Sequence, residues 1–429
     1  MTITAATGIW TIGVNWPYPQ MIFTSYYNLA VAIKSDGKLA LYELTNTSNV
    51  WTAVEKVVLG IATNIKSVSV ADFSTYYMLS IEEYITNIPD HNLYGKNVST
   101  DAVTLIDISL PAAATCCNFQ GQLILGQLLS GDSPWKELSP CSVAWSDIGS
   151  IDMNPEDYVV AGFAVMPWDE NGNGKVYKVL PLGKGVRVYG DRGICNLIPY
   201  TVERVVGFGV GELETPGILS ADAIAGDETV HGYVDSNYDF WITDGEKAKN
   251  LGYRKQMLTL TNRILVRYDP QNKRFYISDG VLCYIYNQHG MYSSHQCTSS
   301  VGNYKNVLCG FFKNNSDTKI RIASNPTDFG VQGNKTIESV EAGVTYDTTA
   351  DEVMTGSIAT KYDYKGDFIQ LDYTQLNDRG IFTQKMTGRE FKIFLQADYE
   401  SGAEFSLSSL MAKIKFSDKR NIRGRLNVN

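Results

Sequence analysis

Short strand-like segments separated by turn residues recur along the whole chain and limit the folds that it can adopt. Residues 39–44, 264–268 and 274–278 are examples, because each is rich in apolar and aromatic residues and has Gly, Asp or Asn close to its ends. The connections at 35–38 and 269–273 contain the Asp, Asn and Gly residues that tight hairpin turns require. This pattern predicts an all-β fold built largely of antiparallel hairpins.

Three of these hairpins follow one pattern, which indicates an internal repeat. At 189–197, 241–245 and 276–284, an aromatic strand precedes a turn that contains Asp and Gly. The turns at Asp244-Gly245 and Asp279-Gly280 are 35 residues apart, and units of roughly 35 to 50 residues are typical of β-propeller blades. We therefore predict a β-propeller domain over residues 1–340, with about six irregular blades.

The last quarter of the chain differs from the segments before it. Residues 326–357 are polar and show no apolar period, so we predict that the domain ends there and that residues 341–357 are a connector. Strand-like segments return after residue 358 and predict a small antiparallel β-sandwich-like C-terminal domain over 358–429. Helix is expected only at 72–84 and near 220–224.

Composition agrees with β structure and excludes some functions. The 429 residues include 26 Tyr and 37 Gly, and the net charge of −9 argues against a surface that binds nucleic acid as a whole. The seven cysteines form no C-x-x-C pair, which favours reduced, buried thiols in a protein made in a cytosol. We expect neither a membrane span nor export, because no apolar stretch is long enough and the first ten residues lack a secretory signal.

One loop has the spacing of a Ca²⁺ site. Asp169, Asn171 and Asn173 occupy the first, third and fifth positions of such a loop, and Gly174 follows at the sixth. The twelfth position, however, is Leu180 rather than a bidentate Glu, and the flanking segments are strand-like. We therefore favour a plain hairpin turn, with a calcium site as the alternative.

Sequence motifs for catalysis are missing. The chain contains no G-x-S-x-G turn and no H-E-x-x-H pair. The alternating Gly207, Gly209 and Gly211 superficially suggest a phosphate-binding loop, but no P-loop Lys follows them and a Gly-rich strand is favoured. We predict that the chain is not an enzyme and that it carries no cofactor.

A basic segment lies near the end of the chain, where it alternates with apolar residues. Its cationic residues are Lys413, Lys415, Lys419, Arg420, Arg423 and Arg425. Such alternation is typical of an edge strand with one packed and one solvated face, which is the interpretation that we favour. Contact with a subunit interface or a nucleic-acid backbone is the functional alternative.

The middle of the chain resembles a known family. The resemblance is carried by AAATCCNFQGQLILG (112–126), VAWSDIG (143–149), MNPEDY (153–158), VLPLG (179–183) and YG (189–190), and GILS (217–220), VHGYV (230–234) and YDFWI (238–242) fit it too. These segments look like the β-propeller proteins of bacteriophage tails, in particular the tail hub, stabilisation or nozzle proteins of short-tailed phages. The resemblance covers roughly residues 100–290.

This resemblance implies a structural component of a bacteriophage tail. Proteins of that kind form a ring of identical subunits, usually six, below the portal and its adaptor, and DNA leaves the virion through the ring. It therefore implies a homo-oligomer, portal, adaptor and other tail proteins as partners, transient passage of DNA, and assembly in the host bacterial cytoplasm. An acidic ring would repel phosphate, so DNA would slide without binding.

A glycan- or receptor-binding propeller protein of the virion is the alternative function. Trp135, Trp168 and Trp241 would then supply aromatic platforms for sugars. Tryptophan in a propeller blade, however, belongs more often to the core.

Overall fold

The computed structural model describes residues 2–416 with gaps, the longest at 12–19, 106–110, 130–137, 154–159, 348–353 and 399–403. It confirms the all-β class, because the only helix among these residues is the single turn α1 (Arg254–Met257). No helix in the described part is long and apolar enough to cross a membrane. The chain forms two compact units, residues 1–280 with 297–313, and residues 281–296 with 314–429.

Sheets whose strands are consecutive in sequence build most of the first unit. Sheet 1 comprises β1 (Thr2–Ala5), β2 (Gly8–Thr11), β3 (Gln20–Phe23), β4 (Asn28–Ile33), β5 (Lys38–Thr47) and β6 (Val50–Ile61). Sheet 2 comprises β7 (Asn64–Phe73), β8 (Tyr76–Ile85), β9 (Ile88–Asn97) and β10 (Val103–Leu105). Sheet 3 comprises β11 (Ala113–Phe119), β12 (Gln122–Leu128), β13 (Ser142–Trp145) and β14 (Gly162–Val165).

The next elements continue the same plan. Sheet 4 comprises β15 (Val176–Leu182), β16 (Gly185–Gly190), β17 (Ile194–Val202) and β18 (Val205–Val210), and sheet 5 comprises β19 (Ile224–Gly226), β20 (His231–Val234), β21 (Phe240–Thr243) and β22 (Ala248–Asn250). A hairpin of β23 (Leu265–Asp269) and β24 (Arg274–Ser278) follows. Sheets 2 to 5 each contain four antiparallel strands in an unbroken sequence order.

Neighbouring sheets of the first unit stack face to face through apolar side chains. On β12, Leu123 and Leu125 pack with sheet 2 residues such as Met78, whereas Ile124 points the other way and packs with sheet 4 residues such as Val188. Successive strand residues point to opposite faces, so a strand buried on both sides reads as a continuous apolar run. This explains why β12 has no polar face.

The second unit contains two sheets that share one core. One sheet has the order β25 (Cys283–Asn287), β26 (Gly290–Ser293), β29 (Lys319–Ser324), β36 (Glu390–Asp398) and β31 (Met354–Lys361), with β32 (Ile369–Gln370) and β33 (Thr374–Gln375) beside β31. The other pairs β30 (Lys335–Asp347) with β34 (Ile381–Phe382), β35 (Met386–Gly388) and β37 (Glu404–Phe416). Strands β27 (Gln296–Tyr304) and β28 (Val307–Asn314) form a separate pair, and residues 297–313 of this pair belong to the first unit.

Two expectations about longer segments are wrong, and so is the helix expected near 220–224, where residues 221–223 form a non-helical turn before β19 begins at Ile224. Residues 72–84, expected as a helix, form the end of β7 and most of β8, where Met78, Leu79 and Ile81 are fully buried. A helix would bury one stripe, whereas these consecutive residues pack on both faces of sheet 2.

The predicted connector 341–357 is the second of these expectations. Its first residues belong to β30 and its last to β31, while 348–353 lie outside the described part. A β-bulge between Ile337 and Ser339 interrupts the alternation of apolar and polar residues in β30, which hid the strand, yet Ile337 and Val340 are fully buried.

Candidate functional site

The first strands of sheets 2, 3 and 4 lie side by side and are tied together by polar side chains. Thr115 on the central strand β11 makes the link: its Oγ1 lies 3.0 Å from Ser69 Oγ on β7 and accepts a hydrogen bond from the Val179 amide on β15, at 3.3 Å. Both Ser69 and Thr115 are buried. Polar side chains therefore connect the first strands of three sheets.

Lys178 on β15 extends this polar contact. Its ammonium donates to Ser69 Oγ at 2.6 Å and to the Val68 carbonyl at 3.0 Å. Burial lowers the pKa of Lys178 to about 8, and the neighbouring Asp222 opposes that effect. Lys178 therefore supplies a hydrogen bond to the Val68 carbonyl, which lies at the edge of its sheet and receives none from a neighbouring strand.

Asp222 lies two residues before β19 and forms ion pairs with two arginines. Arg267 Nη2 on β23 lies 3.1 Å from Asp222 Oδ1, and Arg263, just before β23, forms an ion pair with the other oxygen. Arg263 also donates to the Ile65 carbonyl on β7 at 3.3 Å. Burial raises the pKa of Asp222, but the two arginines and Lys178 outweigh it, so the pKa is lowered overall.

Glu82 on β8 lies in the same neighbourhood. Burial raises the pKa of this carboxyl. A hydrogen bond from Gln127 and the charges of Lys175, Arg263 and Lys66 act in the opposite direction but do not cancel the rise. We call the seven ionisable residues the charged cluster: Lys66, Glu82, Lys175, Lys178, Asp222, Arg263 and Arg267. Most stand at or close to the starting end of β7, β15, β19 or β23, so topology brings together residues far apart in sequence.

A second group of polar residues lies between sheets 4 and 5. The Tyr189 hydroxyl is 2.8 Å from His231 Nδ1, and both side chains are buried. Burial lowers the pKa of His231 to about 4, so the ring is neutral at neutral pH. His231 also borders a cavity of about 610 Å³ whose other lining residues are Leu180, Pro181, Gly226, Asp227, Glu228 and Thr229.

Arg187 forms a buried ion pair beside this group. Both of its contacts with the Glu214 carboxylate oxygens are 2.7 Å, and its other terminal nitrogen donates to Asn196 Oδ1 at 2.8 Å. The Arg187 side chain is 2% exposed and that of Glu214 is 44% exposed. Glu214 therefore neutralises a buried guanidinium from the protein surface.

In the loop with the spacing of a calcium site, Asp169 makes hydrogen bonds to other residues of the chain. The two carboxylate oxygens of Asp169 accept hydrogen bonds from the Gly174 amide and the Ser139 hydroxyl, each at 3.0 Å. The hairpin interpretation is wrong, because β14 pairs with β13 and β15 with β16, so this loop connects two sheets. Asn173 is exposed and Asn171 lies outside the described residues. No group of three or more metal-ligating side chains occurs in the described part of the chain.

The basic segment begins on the long strand β37. Leu410, Ala412 and Ile414 pack on the core of the second unit, whereas Lys413 and Lys415 are exposed and pair with Glu338 of β30. The alternation thus corresponds to one packed and one solvated face. Lys419, Arg420, Arg423 and Arg425 lie outside the described residues, and contact with nucleic acid stays a prediction.

Two of the three tryptophans proposed as sugar platforms are described, and both pack against other side chains. Trp168 is 3% exposed within the core between sheets 3 and 4. Trp241 is half-buried, stacks on Tyr233 with ring centroids 6.3 Å apart, and donates from Nε1 to Asp235 at 2.8 Å. Trp135 lies outside the described residues.

The alternating glycines form a strand, as predicted. Gly207 and Gly209 lie on β18, and Gly211 directly follows it. A Cβ on Gly207 would stand 3.1 Å from the Tyr200 ring, and one on Gly211 would stand 3.7 Å from Ile198. Tyr200 and Ile198 on the neighbouring strand β17 therefore cover the glycines, yet are themselves 50% and 53% exposed.

The side chains of five of the seven cysteines are described, and all five are buried thiols outside any disulfide, namely Cys116, Cys117, Cys141, Cys195 and Cys283. Burial raises the pKa of Cys116 and of Cys141 to about 12. The thiolate, which is the reactive form, is thus disfavoured at these positions. This agrees with the predicted reduced, buried thiols.

Comparisons with known proteins give little. No protein-family model matches the chain, and no curated protein matches it. A solved structure of the SapL1 lectin in complex with alpha methyl fucoside aligns with 72% of this chain and 93% of its own, at 12% identity and a TM-score of 0.34. A TM-score this low carries no argument about fold or ligand.

Proposed function

We propose that the chain is a structural component of a bacteriophage tail, forming an oligomeric ring that acts as a conduit for DNA ejection. The observation that carries the proposal is the run of four-stranded sheets 2 to 5, stacked in sequence order. Sheets 3, 4 and 5 coincide with the segments that resemble phage tail proteins. Such stacking gives a rigid building block held by its core rather than by disulfides.

We further propose that these sheets are blades of a β-propeller in the first unit and that the second unit is a β-sandwich. Two observations support the propeller. Each sheet packs on the one before it, up to the β23–β24 hairpin, whose Phe275 contacts Phe240 of sheet 5. Arg263, just before that hairpin, donates a hydrogen bond to the Ile65 carbonyl of sheet 2. Such a contact is expected if the first strands of the sheets surround a common axis. Support for the sandwich comes from Ile337 and Phe391, which belong to opposite sheets and share one core.

Exposed apolar residues on the outer strands support assembly. Val165 on β14, Ile198 and Tyr200 on β17 and Val210 on β18 are between 39% and 53% exposed. All four lie on the third or fourth strand of a sheet, away from the tied first strands. Apolar patches of this kind mark protein–protein contacts, and the proposed partner is a second copy of this chain.

Virion proteomics with cryo-electron microscopy tests the role. The chain should be present in purified particles as a ring between the portal complex and the distal end of the tail. Genes for portal and adaptor proteins beside its own gene would agree with this. A chain that is absent from the particle, or that occurs there as single copies, contradicts the proposal.

A glycan- or receptor-binding role is the second candidate, and the cavity beside His231 favours it. Its carboxylates, the Thr229 hydroxyl and the apolar wall of Leu180 and Pro181 suit a ligand that presents hydroxyl groups and a carbon face. Glycan-array binding that is lost in Glu228→Ala but kept in the control Lys247→Ala would favour this role. No binding to any glycan would remove it.

A further inference from the structure

The cavity beside His231 lies between sheets 4 and 5, where the turn after β15 meets the turn between β19 and β20. The Gly183 amide donates a hydrogen bond of 2.8 Å to the Glu228 carbonyl, so the backbone holds these two turns together. Leu180 and Pro181 of β15 give the cavity an apolar surface. The walls of the cavity are therefore fixed by the fold on both sides.

One edge of the His231 ring faces this cavity. Nδ1 is bound to Tyr189, whereas the Cδ2 edge lies beside Gly226, where an added Cβ would stand 2.5 Å from Cδ2. Gly226 and His231 both line the cavity. The next atom of this edge, Nε2, is buried and has no hydrogen-bond partner. The carbonyls of Pro181 and Asp227 favour a proton on the ring but form no hydrogen bond with Nε2.

The contact with Tyr189 decides which ring nitrogen carries the proton. Burial lowers the pKa of His231, so the ring is neutral and has one N–H. The Tyr189 side chain is fully buried, and its hydroxyl has no acceptor among the described residues other than Nδ1. A proton on Nδ1 would leave the Tyr189 O–H without an acceptor, whereas a proton on Nε2 lets Tyr189 donate to Nδ1. Nε2 is therefore an N–H donor that lacks an acceptor.

The other polar side chains of the cavity are acceptors. The Thr229 hydroxyl donates to Asp227 Oδ1 at 2.6 Å, so it has only lone pairs to offer a ligand. Glu228 is exposed and adds a second carboxylate. A matching ligand needs several N–H or O–H donors, one acceptor for the Nε2–H of His231, and an apolar group for Leu180 and Pro181.

We propose that this cavity binds an N-acetylated amino sugar. The carbonyl oxygen of its acetamido group would accept from Nε2–H of His231, and the methyl group would pack on Leu180 and Pro181. The amide N–H and the ring hydroxyls would donate to the carboxylates of Asp227 and Glu228. The inference rests on the glycan-binding role, the second candidate above, and it names the class of sugar.

Saturation-transfer NMR with the whole purified chain tests the sugar class. N-acetylglucosamine and N-acetylgalactosamine are compared with glucose, galactose and glucosamine. We expect one of the acetylated sugars to bind about tenfold more tightly than its parent hexose, through one added hydrogen bond, and to receive the strongest saturation on its acetyl methyl protons.

The other results of this comparison are distinct. Equal binding of acetylated sugars and plain hexoses overturns the acetamido inference and leaves the glycan-binding role in place. Tighter binding of glucosamine than of N-acetylglucosamine indicates an ammonium site and also overturns it. Binding of none of the five sugars overturns both the inference and the glycan-binding role of this cavity.

Tyr189→Phe tests the hydrogen bond from His231. Without the hydroxyl the proton is no longer held on Nε2, so the preference for acetylated sugars should be largely lost. The control Tyr233→Phe, which changes the buried ring 5.6 Å from Tyr189 between centroids, should keep this preference. ¹⁵N NMR of labelled histidine measures the tautomer of His231 in the parent chain without any variant. A proton on Nδ1, or an unchanged preference in Tyr189→Phe, overturns the proposal.

Discussion

Several buried polar side chains in the described part of the chain have a partner from a distant part of the sequence. Lys178 reaches β7, Arg187 reaches Glu214, and Tyr189 reaches His231. None of these pairs follows a sequence motif, because the partners are 27 to 109 residues apart and only the stacking of sheets brings them together. Neither the charged cluster nor the cavity beside His231 could therefore be predicted from the sequence.

Lys178 predicts a specific pH dependence of stability. Its pKa is lowered to about 8 in the folded protein, against 10.5 for an unperturbed lysine, so between these values the unfolded state binds more protons and stability rises with pH. Relative to Lys178→Met, the parent chain should gain up to about 3 kcal/mol in free energy of unfolding between pH 7 and pH 10.5.

Urea unfolding of both proteins across that range measures the gain from Lys178. Lys184→Met, which changes an exposed lysine, should show no such dependence relative to the parent. If the difference in free energy of unfolding between the parent and Lys178→Met stays constant with pH, burial does not disfavour the charged form of Lys178 and the prediction is wrong.

The ion pair of Arg187 predicts an asymmetric mutational effect. Glu214→Ala leaves a buried guanidinium without its carboxylate and should cost about 1–3 kcal/mol of unfolding free energy. The double variant Arg187→Met with Glu214→Ala removes both charges and should recover a large part of that loss. Chemical denaturation of the parent and the two variants decides this, and a double variant less stable than Glu214→Ala would contradict it.

At the scale of strands, glycine has two different roles in sheet 4. Gly190, at the end of β16, lies under Trp168, where an added Cβ would stand 2.3 Å from the indole ring and 2.7 Å from the Lys175 carbonyl. Gly209, on β18, has room, since its nearest neighbour would be Tyr200 at 3.7 Å. The sequence predicted a Gly-rich strand but could not show which glycines are close-packed.

This contrast predicts different outcomes for one substitution. Gly190→Ala must displace backbone or the buried Trp168 and should cost about 1–3 kcal/mol or more. Gly209→Ala should be neutral or slightly stabilising, because alanine suits a strand better than glycine does. Melting temperatures of the two variants test the prediction, which is contradicted if both positions respond alike.

The long strand β37 gives a prediction for the basic segment. Lys413 and Lys415 are 71% and 69% exposed and share Glu338, and such surface pairs contribute little to stability. Replacing both lysines by Gln should therefore leave the melting temperature nearly unchanged, so any loss of DNA binding in fluorescence anisotropy would report a contact. Unchanged DNA affinity removes these two lysines from the nucleic-acid interpretation.

For the whole molecule, the all-β class, the hairpins at 35–38 and 269–273 and the Gly-rich strand could be predicted, since they depend on local turn chemistry and strand periodicity. The helix expected at 72–84 was wrong because a strand buried on both faces shows no alternation of apolar and polar residues. The connector at 341–357 was wrong because a β-bulge interrupts that alternation in β30. The division into units also differs from the predicted 1–340 and 358–429, because residues 281–296 and 314–340, predicted in the first domain, belong to the second unit.

We propose that this chain assembles with copies of itself through the outer strands of its stacked sheets. Native mass spectrometry of the purified chain, combined with cryo-electron microscopy of the assembled species, tests this assembly. We expect a closed ring of one stoichiometry, with Ile198 and Tyr200 at the contact between subunits and with dissociation of the ring in Tyr200→Asp. A folded chain that remains a monomer at micromolar concentration, or a ring unaffected by Tyr200→Asp with these strands facing solvent, would contradict it.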